Sequence, residues 1–233
     1  MRSGAGRIIP GVDAERAERQ AEEVDRTGGG ADRVRRFDLA RMVALSDGVF
    51  AFALTLLVLS ISVPVLKETA TSGDLVNALE DRLPELFSWV ISFAVIGGFW
   101  IRHNAFSRAL DRVNGPFLVL TLAFLALIAF IPYPTEILGR FGNTAAFVFY
   151  SAMVSLLVVV SAAGVEYASR NGLMRVPETE HERLRRRVSS LRPAFFFGLS
   201  IPVALLFGLT AGYICWLAMI PSDVILRRLD LSD

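Results

Sequence analysis

The chain has 233 residues, of which 53% are hydrophobic and 20% charged, and its 24 Lys and Arg balance 23 Asp and Glu. Several apolar runs about 20 residues long exclude an ordinary soluble domain. The runs do not alternate with period two, which excludes transmembrane strands. The expected class is all-α: a polytopic membrane protein with six transmembrane helices, surrounded by a lipid bilayer, with no nucleic-acid partner. The single cysteine, Cys215, forbids an intrachain disulfide.

Residues 1–32 read as a cytoplasmic tail. GVDAERAERQAEEVDR alternates charge at helix-compatible spacing until Gly28-Gly29-Gly30 stops it. That composition predicts a solvated, disordered or partly helical extension. The first 40 residues lack an apolar centre, so no cleavable leader is expected. The membrane domain is expected over residues 33–228, and residues 229–233 form a short cytoplasmic end.

The first span is read from about Arg41 to Val63, ended by Pro64. It is almost wholly apolar from Gly48 on, yet opens with Arg41, Ser46 and Asp47. An unpaired carboxylate at the bilayer centre costs roughly 2.5–3.5 kcal/mol on insertion scales, so Asp47 belongs at an interface or in a polar pair. Phe52, Thr55 and Leu59 share one face by their spacing of three and four. At about 100° per residue, Asp47 points roughly 140° away from Phe52. The helix thus carries an apolar stripe interrupted by one hydroxyl, and a separate polar corner.

Lys67 to Leu83 reads as a polar connection. The second span is expected over about Glu85–Trp100, closing with WIRHNAFSR. Trp100, His103 and Asn104 lie on one side of it, and each offers an N–H to a buried carboxylate. Asn114-Gly115-Pro116 is a helix start. It opens a third span that two prolines distort or end in IPYPTEIL. A fourth span runs from about Thr144 to Tyr167, and residues 170–192 read as a basic loop. The stretch Pro193–Leu226 would measure roughly 50 Å as one helix, too long for a single crossing. Gly208 and Gly212 near its middle suggest two short spans joined by a tight turn.

Positive charge sets the orientation. With the N-terminus inside, only Lys67, Arg82 and Arg140 fall on the outer side. Six spans with both termini cytoplasmic, in the cell membrane, satisfy this pattern.

No phosphate loop and no His/Cys metal spacing is present, so no cofactor and no bound metal are expected. Asp47 and His103 near one face invite comparison with an intramembrane hydrolase, but nothing supplies a nucleophile and oxyanion donors. An enzyme is not expected, and a structural network is the better reading.

Arg41-x-x-x-Leu45-Ser46-Asp47, followed by the apolar run containing Thr55, closely resembles the first-helix signature of prokaryotic homologues of the endolysosomal potassium channel, transmembrane protein 175. Trp100-x-x-His103 resembles the second-helix motif of the same family. The resemblance implies a homotetrameric, potassium-permeable cation channel whose first helices line the pore. It carries the pore positions onto Phe52, Thr55 and Leu59, and a packing network onto Arg41, Ser46, Asp47, Trp100, His103 and Asn104. Potassium would be the permeant ion. No carbonyl filter of the Thr-Val-Gly-Tyr-Gly type is present, so side chains would select. Leu45 stands where the family usually has Phe, Phe52 where it has Ile or Leu, and Asn104 where a second His is frequent. The competing classes are a secondary transporter and a non-conducting membrane scaffold. The apparent lack of midplane carboxylates argues against a coupled carrier.

Overall fold

The computed structural model describes residues 38–176 and 179–218. The tail over 1–32, the end over 229–233 and the last part of the expected sixth span lie outside the described residues.

Helix α1 (Asp38–Ser60) buries Met42, Ser46, Phe50, Ala53, Leu57 and Ser60, a stripe at spacings of three and four. Its last four residues, Leu57–Ser60, tighten into a 3₁₀ turn, so the span ends short of Val63. The connection that follows is not featureless: α2 (Ser72–Glu80) begins in a capping box between Thr71 and Asp74. Helix α3 (Leu83–Ala109) opens with Pro84 in its first turn and continues well past Trp100. Trp100, His103 and Asn104 therefore sit inside a helix and not at its exit.

Helix α4 (Gly115–Phe130) is capped by Asn114, whose side chain accepts from the Phe117 N–H. After Ile131 the chain re-enters a helix, α5 (Pro132–Phe141), which Gly142 ends in the left-handed region. The two form one long apolar crossing, Gly115–Phe141. The prolines break the hydrogen-bond ladder here without reversing the chain. Helix α6 (Thr144–Arg170), capped by Asn143, packs against α4, α5 and α7 and forms the spine of the core.

Helix α7 (Glu180–Phe207) corrects the sequence reading, because residues 180–192 are helical where a basic loop was expected. A capping box between Thr179 and Glu182 starts the helix. Arg187 on this polar extension pairs with Glu166 of α6, and the Arg186 guanidinium reaches the Val165 carbonyl at 3.5 Å. Cross-helix contacts of this kind hold a polar segment that an apolar-periodicity reading assigns to a loop.

At Gly208 φ is +90°, open to glycine and strained for other residues. The chain turns there into α8 (Leu209–Ala218). Trp216 of α8 donates its indole N–H to Ser200 Oγ at 3.0 Å and stacks on Phe147 at 4.6 Å. Gly212 lies against Ala204 and Phe147. Residues 200 and 216, and 204 and 212, are equally far from Gly208, so α8 folds back antiparallel on α7. The expected tight turn is thus present. Among the described residues five spans, with α4 and α5 counted as one, are long and apolar enough to cross a membrane, and α8 is a shorter apolar helix of 10 residues.

Buried hydroxyls keep their polarity local. Ser46 donates to Met42 O, Ser60 to Leu57 O, Ser88 to Glu85 O and Thr121 to Phe117 O. In hydrocarbon every such group must find a partner within the protein. Between helices, Ser92 Oγ lies 2.9 Å from Tyr150 OH and 2.7 Å from Thr135 Oγ1, joining α3, α5 and α6. At the opposite end of α3, Leu110 and Met174 form an antiparallel bridge between two loops. Arg112 and Arg175 reinforce it through the Gly172 and Leu110 carbonyls.

Candidate functional site

The two faces of α1 differ sharply. Opposite its buried stripe lie Leu45, Gly48, Phe52, Thr55 and Leu59, all exposed in the isolated chain. Phe52 is 62% exposed and Leu59 73%. Phe52, Thr55 and Leu59 therefore share a face that no other described part of the chain covers. The Thr55 hydroxyl donates to the Phe52 carbonyl at 2.8 Å. Its proton is committed to the backbone, which leaves the oxygen as an acceptor on the exposed face.

The polar corner is built from α1 and α3. Trp100 donates its indole N–H to Asp47 Oδ1 at 3.0 Å. This is the cross-helix pair anticipated from spacing. The other corner residues divide. Ser46 is fully buried and bonds its own helix at Met42 O. The His103 ring stacks on Phe124 at 5.5 Å and lies 5.7 Å from Phe50. Its Nε2 is buried without a hydrogen-bond partner among the described residues. The structure thus brings His103 beside the corner as an aromatic neighbour of α1 and not as a donor to Asp47. Asn104 is half-buried on the same helix, and Arg41 is exposed at the start of α1.

Sequence reading passed over Glu85, taken only as a span boundary. It is 4% exposed. Its carboxylate accepts the Ser62 N–H at 2.6 Å and the Arg82 guanidinium at 2.9 Å. Ser62 follows the 3₁₀ turn, where the backbone N–H has left the helical ladder. Glu85 satisfies that orphaned donor and fixes the chain just beyond α1 to the start of α3. An acidic residue next to an Arg at a helix start is a weak signal, and nothing in its spacing pointed to a residue 23 positions earlier. Helix α1 is consequently tied to α3 near its middle, by Asp47–Trp100, and just past its end, by Ser62–Glu85, with Phe52, Thr55 and Leu59 between the two ties.

Trp100→Phe keeps the ring and removes the donor. A hydrogen bond to a charged group contributes about 1–2 kcal/mol in a partly exposed setting. The variant is expected to melt earlier in detergent while keeping any ion preference unchanged. A wild-type melting curve would show that this pair does not hold α1.

Residues 41–132 match the family model for the endosomal/lysosomal potassium channel TMEM175. A potassium channel of Streptomyces collinus is 35% identical over 128 residues, 52% of this chain and 61% of the relative's length. A potassium channel of Chamaesiphon minutus is 31% identical over 150 residues, covering 62% of this chain and 73% of that protein. These relatives are named as ion channels and not as enzymes. In fold, the chain is similar to the crystal structure of a lysosomal potassium-selective channel TMEM175 homolog from Chamaesiphon minutus. The TM-score is 0.68 at 23% identity, over 80% of this chain and 97% of that one. The matched region contains both the Arg41–Asp47 signature and the Trp100–His103 pair, and the chain belongs to the TMEM175 family.

Proposed function

We propose that the chain is a potassium-permeable cation channel, assembled as a homotetramer in the cell membrane with both termini cytoplasmic. The membrane domain over residues 33–228 supplies one α1 per subunit to a central axis. The observation that carries this reading is the exposed face of α1, opposite a fully packed one and flanked by the ties at Asp47 and Ser62. A span that buries one stripe within its own chain and leaves a second apolar stripe uncovered offers that stripe to lipid or to other copies, and membership of a channel family favours a cover of the second kind. Four copies around a closed axis provide it symmetrically. The names of the relatives supply the permeant ion.

In this arrangement Phe52, Thr55 and Leu59 form successive rings. Apolar rings act through width and dewetting. Thr55 alone offers oxygen, already turned outward by its bond to the Phe52 carbonyl. Arg41, Ser46, Asp47, Trp100, His103 and Asn104 act behind the pore as the packing that sets the angle of α1. No cofactor is required.

The test is Thr55→Val, which removes the oxygens and nearly keeps the volume. Reversal potentials in planar bilayers are expected to show reduced potassium-over-sodium preference with little gain in current. Unchanged preference would remove Thr55 from the path. Flux that saturates at carrier turnover rates would identify a transporter instead.

A further inference from the structure

A cavity of about 340 Å³ opens between α3, α4, α6 and α7, away from the exposed stripe of α1. Its walls are apolar, with Phe106, Phe117 and Phe124 among them. Its polar groups are cationic or neutral: Arg102 and Arg186 stand on it, His103 lines it, and no carboxylate does. The Arg102 guanidinium lies 4.6 Å above the Phe99 ring, which holds it over the cavity wall. The buried, unpartnered Nε2 of His103 belongs to the same wall.

The position adds a second constraint. Helix α3 has 27 residues, about 40 Å of helix against a hydrocarbon core of about 30 Å. With Leu83 set at one edge of that core, the residues from Arg102 to Ala109 fall beyond the other edge, at headgroup depth. A basic pocket between helices at that depth is suited to an anionic headgroup, with the adjoining apolar walls suited to hydrocarbon. The volume takes part of one acyl chain and not a whole lipid.

We propose that this cavity binds an anionic phospholipid, its phosphate at Arg102 and Arg186 and one acyl chain along Phe106, Phe117 and Phe124. The inner-leaflet origin of that lipid rests on the orientation proposed above, whereas binding itself does not depend on conduction.

The experiment titrates the purified full-length protein in detergent with dioleoylphosphatidylglycerol, dioleoylphosphatidylcholine or inorganic phosphate, and follows the melting temperature. Phosphatidylglycerol is expected to raise it saturably, with the other two leaving it unchanged. Arg102→Gln removes a charge-assisted contact and should weaken the titration roughly tenfold. Gly164 lines the cavity, and a Cβ there meets nothing within 4 Å. Gly164→Leu should therefore fold, occupy the chain site and weaken binding to a similar degree. Arg108→Gln removes the same charge outside the cavity and should leave the titration as it was. Equal stabilisation by phosphatidylcholine would overturn the proposal, as would an equal effect of inorganic phosphate. Wild-type titration of both Arg102→Gln and Gly164→Leu would do the same. A loss in Arg108→Gln equal to that in Arg102→Gln would reduce the effect to net charge and also overturn it.

Discussion

Phe52→Ala is expected to raise single-channel current by about tenfold, the effect of lowering a permeation barrier by roughly 1.4 kcal/mol. Phe52 is the bulkiest side chain on the exposed stripe of α1. In the proposed tetramer a fourfold ring of Phe would narrow the path and repel water, and the ring faces would offer a cation only a weak electrostatic attraction. Alanine removes the ring without disturbing the buried stripe, since Phe50 and Ala53 face the other way. The helix itself gains a better helix former. Larger organic cations should then pass, and potassium preference should fall less than in Thr55→Val because the hydroxyl ring remains. Planar-bilayer currents with potassium and with a bulky organic cation read both effects. Wild-type current and exclusion in Phe52→Ala, with Thr55→Val also silent, would show that this face does not border the path.

Gly139→Ala is expected to be a disruptive single-methyl change. Helices α3 and α5 cross at this glycine so closely that a Cβ would lie 2.5 Å from Ser88 Oγ and 2.8 Å from the Glu85 Cα. The hydroxyl can rotate away, but the backbone atom cannot. Overpacking of this kind costs about 1–3 kcal/mol, so the melting temperature should drop by about 5 °C. Elsewhere Gly to Ala in a helix stabilises by up to about 1 kcal/mol. Gly97→Ala, where a Cβ meets nothing within 4 Å, is the matched control and should not lose stability. The strain would fall on Glu85, the residue that secures the end of α1. Gly139→Ala should therefore also alter conduction, although it is remote from the stripe. Equal melting of the two variants would mean that the crossing relaxes freely.

The contrast between Asp47 and Glu85 shows what the sequence makes legible. Asp47 stands out because a charge in an apolar run requires a partner, and Trp100 lies on a helix face that offers one. Glu85 sits at a span boundary, where a carboxylate raises no energetic objection. Its partner is a backbone N–H freed by a 3₁₀ turn that side-chain pattern does not announce. The apolar spans and the stripe of α1 follow from hydropathy and period. Residues 180–192 do not, because their helix rests on a cap and on pairing with α6, and charge density alone resembles a loop. The same limit applies to α4 and α5. Two prolines mark a disturbance in sequence, whereas the contact that ties the continuing helix to α3, Thr135 on Ser92, has no signal in the local pattern.

The bridge between Leu110 and Met174 has a bearing on biogenesis. Its partners are separated in the chain by α4, α5 and α6. During synthesis the loop after α3 emerges first and has no strand partner until two further crossings have been inserted. The backbone bonds from Asp111 to Leu173 and from Arg175 to Ala109 close only then. The bridge therefore acts as a late latch, formed by correctly threaded chains and denied to any in which α4 through α6 have crossed an odd number of times.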